Sequence, residues 1–155
     1  MTRIAEKGTP LTPRCRALVL SCIDYRFVEP LRRLLAGQGL TGAFDLVGWP
    51  GGAVSLTMAD RLLVTEAMTI ACELHDPDEV ILTVHHDCGR LGGSARFAGR
   101  QAEIATLDTA LVMAGEAVFE RFPGLPVRLV RLDHDGRVAL TDVANQHLAA
   151  ARQDP

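Results

Sequence analysis

The sequence predicts an α/β fold whose central sheet has about four parallel strands plus an antiparallel edge strand, with helices on both faces. Three observations carry this expectation. Two short and nearly continuous apolar runs, 17–22 and 79–84, lack the alternation of a half-exposed strand, which is the pattern of strands buried on both faces. Segments with apolar residues at helical spacing lie between them and are long enough for right-handed crossovers. Glycine and proline clusters separate one element from the next.

Residues 1–16 are polar, with Gly8, Pro10 and Pro13, and read as an irregular arm ahead of a single domain over residues 17–151. The first strand is expected over 17–22, Ala-Leu-Val-Leu-Ser-Cys. Pro30 suits the first turn of a helix with Leu31, Leu34 and Leu35 on its apolar face, and Gly37 with Gly39 stops it. A second strand follows over 43–47. Thr57 and Asp60 form a helix start signal, after which Leu63, Ala67, Ile70 and Leu74 set out an apolar stripe that Pro77 ends. The third strand, 79–84, runs straight into His85-His86-Asp87-Cys88. A long helix over 100–122 carries Ile104, Leu107, Leu111, Gly115, Val118 and Phe122 on one stripe. The fourth strand is 127–132. Asp135-Gly136 is a hairpin signal that makes 137–140 an antiparallel edge strand, and a short helix over 143–151 closes the chain.

Composition removes several classes of function. A chain of 155 residues, 48% hydrophobic, suits one domain that buries roughly 68–70% of its unfolded surface. With 23% charged residues and a net charge of -3, it has neither the basic excess of a nucleic-acid binder nor the composition of a disordered chain. Five Phe, one Trp and one Tyr provide little for a base-stacking platform. No apolar run approaches the ~18 residues of a membrane span and the N-terminus lacks a secretory core, so a soluble cytoplasmic protein is expected. The four cysteines form no Cys-x-x-Cys pair and are too few for a disulfide scaffold, which leaves metal ligands or buried thiols.

Open parallel sheets place their ligands outside the carboxyl ends of the strands. Three strand ends deliver chemistry there: Cys22-Ile23-Asp24-Tyr25-Arg26, Gly48-Trp49-Pro50-Gly51-Gly52-Ala53 and His85-His86-Asp87-Cys88-Gly89. Cys22 alone reads as a buried thiol. Together with His85 and Cys88 it offers two thiolates and an imidazole, donors suited to Zn²⁺ and unsuited to Mg²⁺ or Ca²⁺. Three protein ligands leave one tetrahedral position open, where zinc lowers the pKa of bound water to about 7 and supplies hydroxide as a nucleophile. Asp24 and Arg26 share one side of an extended segment, so a carboxylate and a guanidinium pair beside the metal. Held by Arg26, Asp24 is free to accept a proton; released, it would itself occupy the fourth position.

Cys-x-Asp-x-Arg after a first strand, followed by His-x-x-Cys-Gly after a later one, resembles the β-class carbonic anhydrases. The matching residues are Cys22, Asp24 and Arg26, then His85, Cys88 and Gly89. The resemblance implies Zn²⁺ on Cys22, His85 and Cys88, an Asp24–Arg26 catalytic dyad, and reversible hydration of carbon dioxide to bicarbonate. It also implies a homodimer or an assembly of dimers, while composition and the short apolar runs lead us to expect no nucleic-acid or membrane partner. The chain departs from the family pattern in its short arm and in the turn Trp49-Pro50-Gly51-Gly52. Hydrolysis of carbonyl sulfide or carbon disulfide by the same metal, and a non-catalytic zinc-binding module, are the alternative functions.

The remaining polar residues read more simply. His86 is expected to face the pocket or solvent, and Asp87 to form the loop's Asx turn. His75 near a helix end, His134 in an Asp-rich hairpin and His147 on a surface helix carry no catalytic expectation. Cys15 and Cys72 read as ordinary thiols. Gly92-Gly93-Ser94 with Arg90, Arg96 and Arg100 reads as a flexible basic loop, an anion cradle being the alternative. Trp49 either lines a pocket or packs in the core.

Overall fold

A computed structural model describes residues 13–133 and 138–140. The chain forms β1 (Ala17–Ser21), α1 (Val28–Gly37), β2 (Phe44–Gly48), α2 (Arg61–His75), β3 (Glu79–His85), α3 (Arg100–Arg121), β4 (Val127–Leu132) and β5 (Val138–Leu140). Short 3-10 segments cover Tyr25–Phe27, Gly52–Thr57, Gly89–Leu91 and Ser94–Arg96. The sheet order is β2-β1-β3-β4-β5, parallel up to β4 and antiparallel between β4 and β5. The predicted α/β class and the antiparallel edge are therefore both present. The Asp135-Gly136 turn, the expected helix over 143–151, His134, His147 and residues 1–12 of the arm lie outside the described residues.

β1 is buried along its whole length because both of its faces are covered. Leu18 and Leu20 join Val80, Leu82 and Leu129 in a core closed by α2, α3 and the Gly52–Thr57 segment. Ala17 and Val19 join Ile81 and Val130 in a second core on the opposite face, closed by Leu31 and Leu35 of α1. Each fully buried aliphatic side chain stabilises the fold by about 1.5–3 kcal/mol, so two cores sharing one set of strands hold the sheet firmly. α1 stops in a Schellman motif: Gly39, at φ 69°, donates to Ala36 O (3.0 Å) and Leu40 donates to Leu35 O (2.9 Å).

α2 faces the sheet with a different stripe from the one expected. Val64 and Met68 are buried, whereas Leu63 is 58% and Ile70 51% exposed, with Leu62 and Leu74 also outside. The helix carries two apolar stripes about 100° apart, and periodicity alone does not say which one meets the core. Its start signal also works differently. Asp60 makes no side-chain cap, because its carboxylate accepts from Trp49 Nε1 (2.7 Å) and from Arg90 Nη2 (3.0 Å). α3 buries Leu107, Leu111, Gly115 and Val118 as expected, together with one charged residue, Glu103. No helix among the described residues is long and apolar enough to cross a membrane.

The orientation of α2 is open to test by equilibrium urea unfolding. Met68→Ala is expected to cost about 2–5 kcal/mol, the range for emptying a buried site. An effect inside about 0.5 kcal/mol, usual for a surface substitution, would place the Leu63 stripe in the core instead.

Candidate metal centre

β1 and β3 are neighbours, but the chain leaves β1 toward β2 on the other side, so the boundary between β1 and β3 is the switch point of the sheet. Cys22 follows β1 directly and His85 is the last residue of β3. The loop after β3 turns back at Asp87, at φ 54°, and returns Cys88 to the same place. The ligand atoms of Cys22, His85 and Cys88 lie within 4.8 Å of one another.

The imidazole of His85 is set for a cation. Its Nδ1 lies 2.7 Å from the carbonyl oxygen of His86, which can only accept, so the proton sits on Nδ1 and the lone pair on Nε2. Phe27 stacks on the ring at 4.1 Å between centroids. Nε2 is buried without a hydrogen-bond partner. Leaving such an atom unsatisfied costs about 1–3 kcal/mol, and a metal between Nε2 and the two sulfurs removes that cost. Two sulfurs and an imidazole are donors for zinc, so the residues present fit that ion.

The hydrogen bond with the Cys88 thiol, countered by burial and helped by His85 and the Gly51 N–H, lowers the Cys22 thiol to about 4. Cys88 is raised, by its hydrogen bond with Cys22 and by burial. The glycine turn after β2 serves Cys22 through its backbone, as Gly51 N–H donates to Cys22 Sγ at 3.2 Å. Gly52 has φ 54°, and a Cβ there would meet Thr83 O at 2.6 Å and Cys22 N at 2.8 Å. Only glycine lets the turn come so close.

Asp24 and Arg26 meet as the spacing predicts. Arg26 Nε and Nη2 hold the Asp24 carboxylate at 3.0 and 2.6 Å, and Asp24 Oδ1 also accepts the Arg26 backbone N–H at 3.0 Å. The Arg26 hydrogen bonds, against the opposing effect of burial, bring the Asp24 carboxyl down to about 2. Asp24 Oδ2 lies 3.9 Å from His85 Nε2, at the edge of the metal seat.

Arg26 has a second carboxylate that sequence reasoning missed. Its Nη1 donates to Asp87 Oδ2 at 2.8 Å and its Nη2 to Asp87 O at 3.0 Å. Asp87 therefore does more than shape a local turn: its Oδ1 accepts the Ser94 N–H at 2.8 Å, seven residues on. Glu103 was also missed. It accepts from Asp87 N–H (2.7 Å) and from Ser94 Oγ (2.9 and 3.0 Å). Burial raises its carboxyl pKa, but the bonds from Asp87, Ser94 and His86 outweigh burial and leave it lowered.

His86 departs from the expectation of a pocket or solvent position. It is buried on the opposite side from His85, with Nδ1 3.5 Å from Glu103 and Nε2 3.6 Å from Asp133. Adjacent residues leaving a strand point to opposite faces, which separates the two histidines. In the basic loop, Arg90 is paired with Asp60 and Arg100 with Asp133 (2.5 Å), so those arginines are engaged with carboxylates rather than gathered around an anion. Trp49 packs against the core. His75 pairs with Asp45, and Cys15 and Cys72 stand outside the metal group.

The architecture is that of the β-carbonic anhydrase fold. A solved β-carbonic anhydrase of Aspergillus fumigatus superposes with a TM-score of 0.58 over 89% of this chain and 81% of its own, at 15% identity. One from Trichomonas vaginalis gives 0.53 over 87% and 86%, also at 15% identity. In sequence, the chain is 28% identical over 129 residues to an uncharacterized protein of Rickettsia conorii, covering 78% of this chain and 69% of that one. A protein of Rickettsia bellii, also uncharacterized, is 26% identical over 126 residues, with 77% of each covered. No family model matches.

The close approach of Gly52 leads to a local prediction. Gly52→Ala is expected to cost about 1–3 kcal/mol of stability through overpacking and to weaken metal uptake by displacing Cys22. Thermal unfolding and zinc assay of the purified variant read both effects, and wild-type values in both would show that the turn has room for a side chain.

Proposed function

We propose that the protein is a zinc-dependent carbonate dehydratase, a lyase that reversibly hydrates carbon dioxide to bicarbonate. The observation that carries this reading is the buried, unpartnered His85 Nε2, grouped with two cysteine sulfurs beside the Arg26-held Asp24. The shared fold with carbonic anhydrases supports it. Zinc held by Cys22, His85 and Cys88 supplies a Lewis acid that brings the pKa of water to about 7.

The chain's own groups do the remaining work. The His86 carbonyl and Phe27 hold the His85 ring in its tautomer and plane. Asp24, kept ionised by Arg26, accepts a hydrogen bond from the attacking water and orients its oxygen. In hydration one water oxygen bonds to the carbon of carbon dioxide, and one proton leaves for solvent.

We extend the proposal to a homodimer. The outward stripe of α2 is apolar surface of the kind that marks association. An antiparallel pairing centred between Met68 and Thr69 would set Leu63 of one copy against Leu74 of the other, and Ala67 against Ile70. That self-complementarity is what a two-fold interface requires. Ile70→Glu is expected to convert the dimer to a monomer in sedimentation; a wild-type monomer at micromolar concentration, or an unaffected variant, removes α2 from the interface.

Stopped-flow carbon dioxide hydration on zinc-assayed protein tests the activity. Turnover is expected to scale with zinc content, and a fully loaded but silent protein overturns the reading. Asp24→Asn should keep its zinc and lose about 10²-fold in kcat, within the range for a positioned acid–base group. Undiminished turnover in that variant would remove Asp24 from the chemistry.

A further inference from the structure

A charged side chain on the core-facing side of a helix needs a reason, because burying a carboxylate is costly unless it is well bonded. Glu103 is 4% exposed in the first turn of α3, on the side that buries Leu107 and Leu111. Its oxygens are directed at the loop between His85 and Cys88 and at the residue that clasps it. One bond goes to the backbone of Asp87 (2.7 Å) and two go to the Ser94 hydroxyl.

Asp87 occupies a backbone conformation that costs a non-glycine residue about 1–3 kcal/mol and lasts only where its surroundings impose it. Glu103 imposes it through the Asp87 N–H. Asp87 in turn spends its carboxylate on Ser94 N–H (2.8 Å) and Arg26 (2.8 Å), and Arg26 grips Asp24 at 2.6 Å. A continuous run of short, charge-assisted bonds thus joins α3 to the carboxylate at the metal seat.

We propose that Glu103 is a positioning residue, which fixes the loop carrying His85, Asp87 and Cys88 and, through Asp87, holds Arg26 on Asp24. The inference rests on the reading of Cys22, His85 and Cys88 as a metal centre. Residues that orient metal ligands from behind typically cost 10–100-fold in metal affinity or activity when altered.

Cobalt(II) is the probe, because its visible bands report ligand geometry without turnover. Wild-type protein is expected to bind one cobalt per chain with thiolate bands; failure of the wild type to bind overturns the metal reading itself. Glu103→Gln keeps the volume and removes the charge. It is expected to bind the same stoichiometry about tenfold or more weakly, with shifted bands. Asp87→Asn should act likewise, and the double variant should be no weaker than the weaker single, because both act through one chain of bonds. Unaltered cobalt affinity and bands in Glu103→Gln, even with a lowered Tm, would reduce Glu103 to a structural role and overturn the proposal, as would additive effects. Should Glu103→Gln fail to fold, Ser94→Ala removes one donor to the same carboxylate; shifted bands support the proposal and unchanged bands overturn it.

Discussion

The parallel pairing of β1 with β3 is the constraint on which the rest of the structure depends. Their register runs from Ala17 opposite Glu79 to Leu20 opposite Leu82, and it carries β3 two residues past the end of β1, to His85. Cys22 and His85 meet because of that register. A slip by one residue would turn every side chain of one strand to the wrong face, exchanging the core of α1 for the core of α2 and α3. Both faces resist the slip, since each strand contributes to two cores. The apolar filling that looks least functional is therefore what sets the distance between a thiol and an imidazole.

Around that meeting point Arg26, Asp87 and Glu103 each have more than one partner. Arg26 is shared by Asp24 and Asp87, and Glu103 answers a backbone N–H, a hydroxyl and the ring of His86. Sharing matters for Asp24. A single exposed pair is worth ~0–1 kcal/mol and leaves both side chains free to rotate. A guanidinium fixed at two carboxylates and a main-chain oxygen cannot follow one of them away without losing the other. Asp24 is thus presented to the metal seat from a fixed direction.

How much of this was legible in the sequence depends on the distance over which each contact acts. Nearly continuous apolar runs marked β1 and β3, and the residues just past the strand ends marked the ligands, because topology alone puts them on one edge. Asp24 and Arg26 were legible for the same local reason, a spacing of two. Glu103 was not. Its partners lie at Asp87 and Ser94, and nothing in a helix pattern distinguishes a buried glutamate from a solvated one. One signal was available, since Glu103 stands four residues before Leu107, on the stripe that faces the sheet. The face of α2 was illegible for a different reason: two stripes of similar hydrophobicity compete, and tertiary packing chooses.

The glycine turn after β2 shows how the site tolerates change in sequence. Its sequence departs from the pattern of the resemblance, yet its contributions are made by main-chain atoms: an N–H on the Cys22 sulfur and a bare α-carbon against Thr83 and Cys22. Side chains in the turn are then free to vary so long as glycine stands at the point of contact. Trp49 uses that freedom to reach Asp60, which ties the turn to the start of α2 and, through Arg90, to the loop after Cys88. Backbone geometry of this kind leaves little trace in residue identity. A chain with 15% identity to the solved structures accordingly keeps their fold.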